Sequence, residues 1–246
     1  MVLEHETILT VIIGRAGSKG LPGKNAMRIA GQSMIGWTID AALHACCPSK
    51  IIVSTDGRNI ADAAVAKNIR AFMRPRELAS DTASIDDAVR HAVLNTDDVA
   101  AETIIILYAN VPVRPSDLIE RALHEYDRNG WDSVQSYCPV GKYHPSWMVT
   151  LAQDGNVSAY ETQKSHRRQD LPPVYIPDGG VIVVSRAALF SAVSGDPASF
   201  LGKRRGSVVT RPGDVVDVDD MHDFVIAEAL LRMRAETERT YADQSA

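Results

Sequence analysis

Short apolar runs alternate with longer amphipathic stretches along most of the chain. The apolar runs are rich in β-branched residues and predict strands at residues 8–13, 51–54, 69–73, 103–108, 133–136, 147–151, 181–185 and 215–218. Apolar residues repeated at helical spacing predict helices at residues 34–46, 59–67, 84–95, 115–126 and 221–232. This alternation predicts an α/β fold with a doubly wound, mostly parallel sheet. Ligands of such sheets bind at the carboxyl ends of the strands.

The regular alternation stops after Trp131, where the segments between strands become long, polar and rich in His, Arg and Pro. We interpret residues 137–176 as an insertion within a single domain that spans residues 1–246. Segments of this length without a periodicity of their own are usually functional or contact a partner. The chain from about residue 237 is expected to be frayed.

Composition excludes several classes of protein. The 246 residues are 45% hydrophobic and 23% charged, which is typical of a soluble globular protein. The formal net charge of -5 provides no positive field for a phosphate backbone, so we expect no nucleic acid partner. No apolar run approaches the roughly 18 residues of a membrane span, and we expect a cytoplasmic protein without membrane contact. Cys46, Cys47 and Cys138 are predicted to be buried thiols in a reducing compartment.

A glycine-rich loop, residues 14–25, follows the first predicted strand and carries Arg15, Lys19 and Lys24. Glycines let backbone N–H groups approach an anion, and the cations suit a polyphosphate. The spacing matches neither the Walker loop nor the Gly-x-Gly-x-x-Gly dinucleotide fingerprint. The loop therefore predicts a triphosphate site, with a solvated surface turn as the alternative.

Two carboxylates, Asp217 and Asp219, alternate along the last predicted strand and are expected to share one face. Carboxylates placed this close repel each other unless a cation lies between them, and hard oxygen ligands suit Mg²⁺. The pair therefore predicts a magnesium site. In the alternative interpretation, Asp219 or Asp220 only caps the closing helix.

The loop from Arg15 to Asn25 resembles the acylneuraminate cytidylyltransferase signature, Arg-x-Gly-Ser-Lys-Gly-x-Pro-x-Lys-Asn, without interruption. Further segments match the family in the same order along the chain. They are Val-Ser-Thr-Asp at 53–56, Arg-Pro-Arg-Glu-Leu-Ala-Ser-Asp-Thr-Ala at 74–83, His-Pro-Ser-Trp-Met at 144–148, Arg-Arg-Gln-Asp-Leu-Pro-Pro-Val-Tyr at 167–175 and Val-Asp-Val-Asp at 216–219. The resemblance therefore covers nearly the whole chain.

The resemblance implies a fold of the nucleotide-diphospho-sugar transferase type and a nucleotidyltransferase activity of the EC 2.7.7 class. In this family CMP passes from CTP to the anomeric hydroxyl of an acidic 2-keto sugar, and pyrophosphate is released. The implied catalytic residues are Arg15, Lys24 and Asp217, and the implied Mg²⁺ ligands are Asp217 and Asp219. The implied nucleotide-binding residues are Arg15, Ser18, Lys19, Lys24, Asn25, Arg74 and Ala83.

The resemblance also assigns the acceptor sugar to Tyr108, Arg168 and Gln169, with Arg168 facing the sugar carboxylate. Without the resemblance, Arg168 is equally well explained as a surface charge. The family's insertion packs across a dimer axis, which implies that residues 137–176 form a homodimer contact and reach the partner's sugar pocket.

The chain departs from the family pattern in the part that faces the acceptor. Residues 108–114 read Tyr-Ala-Asn-Val-Pro-Val-Arg, where the sialic acid enzymes usually have Gln-Pro-Thr-Ser-Pro-Leu-Arg, and Asp178 replaces the usual Asn. The acceptor can therefore be N-acetylneuraminate, legionaminate, pseudaminate or a deaminated nonulosonate. The alternatives are a nucleotidyltransferase of the same fold that uses a sugar 1-phosphate or another nucleotide, and a non-catalytic relative that binds nucleotide or serves as an assembly partner.

Overall fold

The computed structural model describes residues 8–18, 20–47, 49–80, 83–97, 100–162, 165, 167–193 and 196–244. The strands are β1 (Ile8–Ile13), β2 (Arg28–Ile29), β3 (Gln32–Ser33), β4 (Lys50–Thr55), β5 (Arg70–Met73), β6 (Thr103–Tyr108), β7 (Ser133–Pro139), β8 (Val149–Leu151), β9 (Val157–Ala159), β10 (Tyr175–Ser185) and β11 (Arg205–Val209). The helices are α1 (Met34–His44), α2 (Arg58–Val65), α3 (Ile85–Asn95), α4 (Leu118–Asn129), α5 (Arg186–Phe190) and α6 (Met221–Gln244).

Seven strands form the central sheet, in the order β11-β7-β10-β6-β1-β4-β5. The neighbours β6, β1, β4 and β5 run parallel, and β11 runs parallel to β7. Only β10 is antiparallel to its neighbours β6 and β7. The α/β fold with a mostly parallel sheet is thus confirmed, and the reversal of β10 is an addition that the apolar pattern did not reveal.

The sheet is buried on both faces, as its continuous apolar strands predict. Successive side chains of β1 point to opposite faces, so Ile12 packs with Ile35 and Ile39 of α1 while Val11 packs with Val89 of α3. A third apolar cluster joins α6 to the loop after β1. These contacts fix the carboxyl ends of β1 and β6 side by side.

Element boundaries differ from the predictions in a few places. The predicted strand at residues 215–218 is reduced to a single bridge between Val113 and Val216. The predicted strand at 147–151 begins at Val149, because Pro145–Trp147 forms a 3-10 turn. The prediction of a frayed end was wrong for the backbone up to Gln244, which continues α6.

The predicted insertion, residues 137–176, overlaps the sheet at both ends, since β7 continues to Pro139 and β10 begins at Tyr175. Between them, β8 and β9 form a small antiparallel hairpin separate from the main sheet. The hairpin exposes apolar side chains, with Leu151 73% and Val157 57% exposed.

The prediction of buried cysteines was wrong, because Cys46 is exposed and Cys47 and Cys138 are only partly buried, but all three are free thiols as expected. Cys46 and Cys47 follow the end of α1, where the chain leaves the apolar layer that covers the sheet. In the part of the chain that the structure describes, no helix is both long and apolar enough to cross a membrane.

Candidate nucleotide-binding site

A cavity of about 370 Å³ opens at the carboxyl ends of β1 and β6, where ligands of doubly wound sheets bind. It is lined by residues from the glycine-rich loop, the segment after β5, the start of α3, the turn after β6 and the segment before α6. The lining residues are Ile13, Gly14, Arg15, Lys24, Asn25, Arg74, Leu78, Ala79, Ser80, Ala83, Ser84, Ile85, Ala88, Tyr108, Asn110, Asp217 and Asp219. The fold thus brings together charges that lie far apart in the sequence.

Close packing fixes the path of the glycine-rich loop. A Cβ at Gly14 would lie 2.8 Å from the Cβ of Ala109, and one at Gly20 would lie 2.5 Å from the backbone oxygen of Asp219. Real Cβ atoms do not approach other atoms this closely, so both positions require glycine. The Ala16 N–H also donates to the Asp56 carboxylate over 2.7 Å. The loop is therefore held against the turn after β6 and against the acidic segment, residues 216–220.

Lys24 joins the loop to the acidic segment directly. Lys24 begins the 3-10 turn Lys24–Ala26 and is only 8% exposed. Its Nζ lies 2.5 Å from Oδ1 of Asp219, whose side chain is 74% exposed. One partner is buried and the other faces the open cavity, so this ion pair lies where an anionic ligand would enter.

Two buried polar atoms on the cavity wall lack partners among the described residues. Asn25 donates through Nδ2 to the backbone oxygen of Arg15 over 2.8 Å, but its Oδ1 has no donor. Arg74 donates to the backbone oxygens of Gly14 and Ser54 at 2.9 and 2.7 Å, while its Nε is unpaired. Burial, and then the charge of Arg15, lower the pKa of Arg74, whereas Asp56 opposes the shift. Buried groups left unpaired are costly, which indicates that a polar ligand belongs in this cavity.

The acidic segment presents Asp217 and Asp219 to the same cavity. Asp217 is exposed as a residue. Nearby protein atoms nevertheless desolvate its carboxyl, and this desolvation, followed by the charge of Asp219, raises its pKa to about 6. Lys24 and Arg114 oppose the shift, and Asp223 adds to it. The nearby cations therefore compensate only part of what burial and the neighbouring carboxylates do to this group.

The carboxylate pair fits a magnesium ion. Its oxygen donors are hard ligands, and Mg²⁺ is commonly held by one or two carboxylates with waters and substrate phosphates completing its shell. Within the described residues, no cluster of three or more His, Cys, Asp or Glu side chains offers a complete protein cage. The donor set therefore suits a cation that is shared with a phosphorylated ligand.

The helix-capping alternative applies to Asp220 rather than to the pair. Asp220 accepts from the backbone N–H groups of His222 and Asp223 at 2.8 and 3.0 Å. Asp223 in turn accepts from the N–H groups of Asp219 and Asp220 at 3.0 and 3.2 Å. These reciprocal hydrogen bonds satisfy backbone N–H groups at the start of α6. The side chains of Asp217 and Asp219 take no part in this cap and line the cavity instead.

Tyr108 ends β6 and forms the wall of the cavity next to Asp217. Burial, followed by the charge of Asp217, raises the pKa of Tyr108 to about 12, so its hydroxyl remains protonated. Gly179, at φ +76°, lies against it: a Cβ there would be 3.3 Å from the tyrosine ring and 3.4 Å from Oδ2 of Asp217. Any side chain at residue 179 would therefore enter the space beside both groups.

Beneath this wall, Arg114 is 5% exposed and has its pKa lowered to about 10 by burial, against the opposing charges of Asp178 and Asp217. It donates to the backbone oxygens of Gly180 at 3.2 Å and Tyr108 at 3.4 Å. The guanidinium bridges Gly180 within β10 and Tyr108 at the end of β6, beyond the last ladder pair of these strands, Ile182 with Ile106. It supports the wall from behind.

The remaining predicted residues are placed as follows. Ala83 lines the cavity, while Ser18 is not among the lining residues and instead accepts from the Leu21 N–H at 3.4 Å. Gln169 lines a second pocket of about 370 Å³ within the insertion, together with His144. Lys19 and the Arg168 side chain lie outside the described part of the structure.

Sequence reasoning missed Asn110 and Arg114 as site residues. Asn110 lines the cavity and donates to Asp217, and Arg114 supports its wall. A signal was available, since both residues lie in the segment 108–114 that departs from the family pattern around a retained Arg. What could not be seen was that this segment faces Asp217.

Comparison with known protein families identifies this chain's relatives. The family model described as Cytidylyltransferase matches residues 9–175. This range includes the glycine-rich loop, Arg74 and Tyr108 but ends before the acidic segment.

Curated relatives extend the similarity further along the chain. An N-acylneuraminate cytidylyltransferase of Streptococcus agalactiae is 31% identical over 220 residues, 88% of this chain and 51% of that protein. A CMP-N,N'-diacetyllegionaminic acid synthase of Legionella pneumophila is 30% identical and covers 93% of this chain and 98% of that protein. A pseudaminic acid cytidylyltransferase of Campylobacter jejuni is 26% identical with the same coverage. The chain spans about half the length of the streptococcal relatives.

Among solved structures, a CMP:2-keto-3-deoxy-manno-octonic acid synthetase complexed with CTP superposes with a TM-score of 0.69 at 18% identity, covering 93% of this chain and 99% of that chain. A 4-diphosphocytidyl-2C-methyl-D-erythritol synthase of Anaerococcus prevotii superposes with a TM-score of 0.64 at 12% identity, covering 92% of this chain and 99% of that chain. At these identities the likeness shows a shared fold.

Proposed function

Since the chain belongs to the cytidylyltransferase family, we propose that it transfers CMP from CTP to the anomeric hydroxyl of an acidic 2-keto sugar. The anomeric oxygen bonds to the α-phosphorus, the bond from that phosphorus to the bridging oxygen breaks, pyrophosphate leaves, and the hydroxyl proton passes to solvent. The observation that carries the proposal is the meeting of Arg15, Lys24, Asp217 and Asp219 in one cavity. Phosphoryl-type transfer mainly needs positioning and charge stabilisation, and these side chains can supply both.

In this proposal the loop cations bind the triphosphate. Lys24 lines the cavity, where its Nζ forms an ion pair with Asp219. A phosphate oxygen that replaces Asp219 as its partner would leave that carboxylate for a cation. Arg15 lines the cavity beside it and adds a second charge.

We assign the nucleoside to the part of the cavity around Arg74 and Ala83. The unpaired Nε of Arg74 and the unpaired Oδ1 of Asn25 offer a donor and an acceptor there. Together they suit the mixed hydrogen-bonding edges of a ribose and a pyrimidine. We include Ser18 and Lys19 in the nucleotide site on the family resemblance alone.

Asp217 and Asp219 would hold Mg²⁺ in this proposal. When bound, the ion neutralises phosphate charge and orients the α-phosphate for in-line attack. The protein keeps both carboxylates within the cavity by capping α6 with Asp220 and Asp223.

The acceptor is proposed to be a nonulosonate of the sialic acid type, bound against Tyr108. Curated relatives named for N-acylneuraminate, diacetyllegionaminic acid and pseudaminic acid all match most of this chain. A protonated tyrosine hydroxyl donates and accepts hydrogen bonds, which suits sugar hydroxyls.

We propose further that the insertion forms a homodimer contact and carries Arg168 and Gln169 to the partner's acceptor pocket. Supporting this, Leu151 and Val157 pair across the β8–β9 hairpin and expose their side chains. Exposed neighbouring apolar residues favour a protein contact. Since CTP is a cytosolic nucleotide, we place the reaction in the cytoplasm.

The test is pyrophosphate release with Mg²⁺ and each of CTP, UTP, GTP and ATP, crossed with several nonulosonates and sugar 1-phosphates. Turnover with CTP and one acidic sugar, lost in Asp217→Asn, is expected. Asp214→Asn provides a matched control, because Asp214 lies near Asp217 in sequence but does not line the cavity. Turnover with a sugar 1-phosphate only, or with another nucleotide, would overturn the acceptor or the CTP assignment.

A further inference from the structure

Asp217 receives one side-chain hydrogen bond within the described residues, and it comes from a neutral amide. Asn110 Nδ2 donates to Oδ1 of Asp217 and lies 3.3 Å from the backbone oxygen of Val218. The Asn110 backbone oxygen accepts from the Val218 N–H at 2.9 Å. The acidic segment forms only a single β-bridge, between Val216 and Val113. The hydrogen bonds of Asn110 therefore contribute much of what holds this segment in place.

The turn that carries Asn110 is itself rigid. The Ala109 N–H donates to the backbone oxygen of Ile13 at 2.9 Å, and Ala109 is fully buried. Thr38 of α1, also fully buried, places Oγ1 3.2 Å from the backbone oxygen of Tyr108 and 3.1 Å from that of Val111. The position of the Asn110 amide is therefore fixed by the core.

The two oxygens of Asp217 have different surroundings. Oδ1 is held by Asn110, whereas Oδ2 lies next to Gly179, where a Cβ would come within 3.4 Å. The absent side chain leaves Oδ2 uncovered. The carboxylate is thus held from one side and open on the other.

A neutral donor on Asp217 contrasts with the cation on Asp219. Lys24 compensates the charge of Asp219 as well as orienting it. An amide fixes the direction of a carboxylate while leaving its full negative charge for a metal. Resting on the proposed function, we propose that Asn110 is a positioning residue that holds Asp217 ready for the divalent cation of the reaction.

The test compares Asn110→Leu with the unchanged protein. Mn²⁺ binding is measured by electron paramagnetic resonance of the free ion, with CTP present and acceptor absent. Loss of a hydrogen bond to a metal-ligating carboxylate weakens metal binding by roughly tenfold. We expect this loss in Mn²⁺ affinity and a similar fall in kcat at fixed Mg²⁺. Raising the Mg²⁺ concentration should restore part of the kcat, whereas the acceptor KM should change by less than about twofold.

Asn95→Leu is the matched control, since Asn95 is exposed at the end of α3 and bonds only to the backbone oxygen of His91 within the described residues. An Asn110→Leu variant with unchanged Mn²⁺ affinity would overturn the proposal, as would a loss of activity that raised Mg²⁺ does not relieve. If Asn110→Leu does not fold, Asn110→Ala is measured in the same way and decided on the same outcomes. Failure of the unchanged protein to bind Mn²⁺ with CTP would instead contradict the proposed function.

Discussion

The two halves of the proposed site are built in different ways. The proposed nucleotide half, formed by residues 14–25, Arg74 and the carboxylates Asp217 and Asp219, is held by partly buried hydrogen bonds and an ion pair within one chain. The proposed acceptor half comprises Tyr108 and Gly179 at the cavity wall and, outside that cavity, the insertion, whose β8–β9 hairpin is exposed and whose Gln169 lines a separate pocket. On the proposed function, this difference predicts that one chain suffices to bind the nucleotide and that acceptor recognition is shared with a second chain.

The largest effect is expected from removing Lys24, a cation of the proposed nucleotide half. Lys24→Met is expected to lower kcat/KM for CTP by about 100-fold or more, because preorganised charges at a transferring phosphate contribute on this scale. Lys67→Met is the control, since Lys67 makes an ion pair of the same 2.5 Å length with Asp40 but does not line the cavity. Equal losses in both variants, measured by pyrophosphate release, would contradict the role of Lys24.

The acceptor half is tested through the hairpin. Leu151→Glu combined with Val157→Glu places charges in the exposed apolar surface and is expected to weaken dimerisation by more than about thirtyfold. Analytical ultracentrifugation measures this, and CTP binding should stay within about twofold. Val65→Glu, at an exposed apolar position on α2, is the control. A variant that remains dimeric, or one that loses CTP affinity, would show that the halves are not separable in this way.

A smaller effect is expected at the boundary between the halves. Tyr108→Gln changes the volume and hydrogen bonding of the acceptor wall, so the ratio of kcat/KM between two nonulosonates should change by about tenfold. The KM for CTP should change by less than about twofold. Parallel kinetics with N-acetylneuraminate and legionaminate provide the measurement, and a change confined to CTP would reassign Tyr108 to the nucleotide half.

The smallest effect concerns stability of the loop. Gly20→Ala brings a Cβ to 2.5 Å from the Asp219 backbone oxygen, whereas a Cβ at Gly17 meets nothing within 4 Å. Overpacking of this kind costs about 1–3 kcal/mol, which lowers the melting temperature of a chain this size by about 5 °C. Gly17→Ala should change it by about 1 °C at most. Calorimetry that found equal shifts for both would disprove the close approach of the loop to Asp219.

The sequence predicts features that arise from neighbouring residues, but it does not reveal contacts between residues that lie far apart in the chain. The glycine-rich loop and the alternating Asp217 and Asp219 are local patterns, so the order of residues alone indicates their chemistry. Asn110 and Asp217 lie 107 positions apart, and no local pattern links them.

Strand prediction has a similar limit. Continuous apolar strands such as β1 and β6 are predicted with their observed ends. The strand β11 is missed because only alternate residues are buried in a short run that begins Arg-Gly-Ser. It forms because β7 offers an unpaired edge, which is a tertiary cause.

The most direct test is a crystal structure of the protein with CTP and Mg²⁺. We predict the triphosphate against residues 14–25, Lys24 moved from Asp219 to a phosphate oxygen, and the ion held by Asp217 and Asp219. A nucleotide bound elsewhere, such as in the pocket beside Gln169, or a Lys24–Asp219 pair that persists with CTP bound, would contradict it.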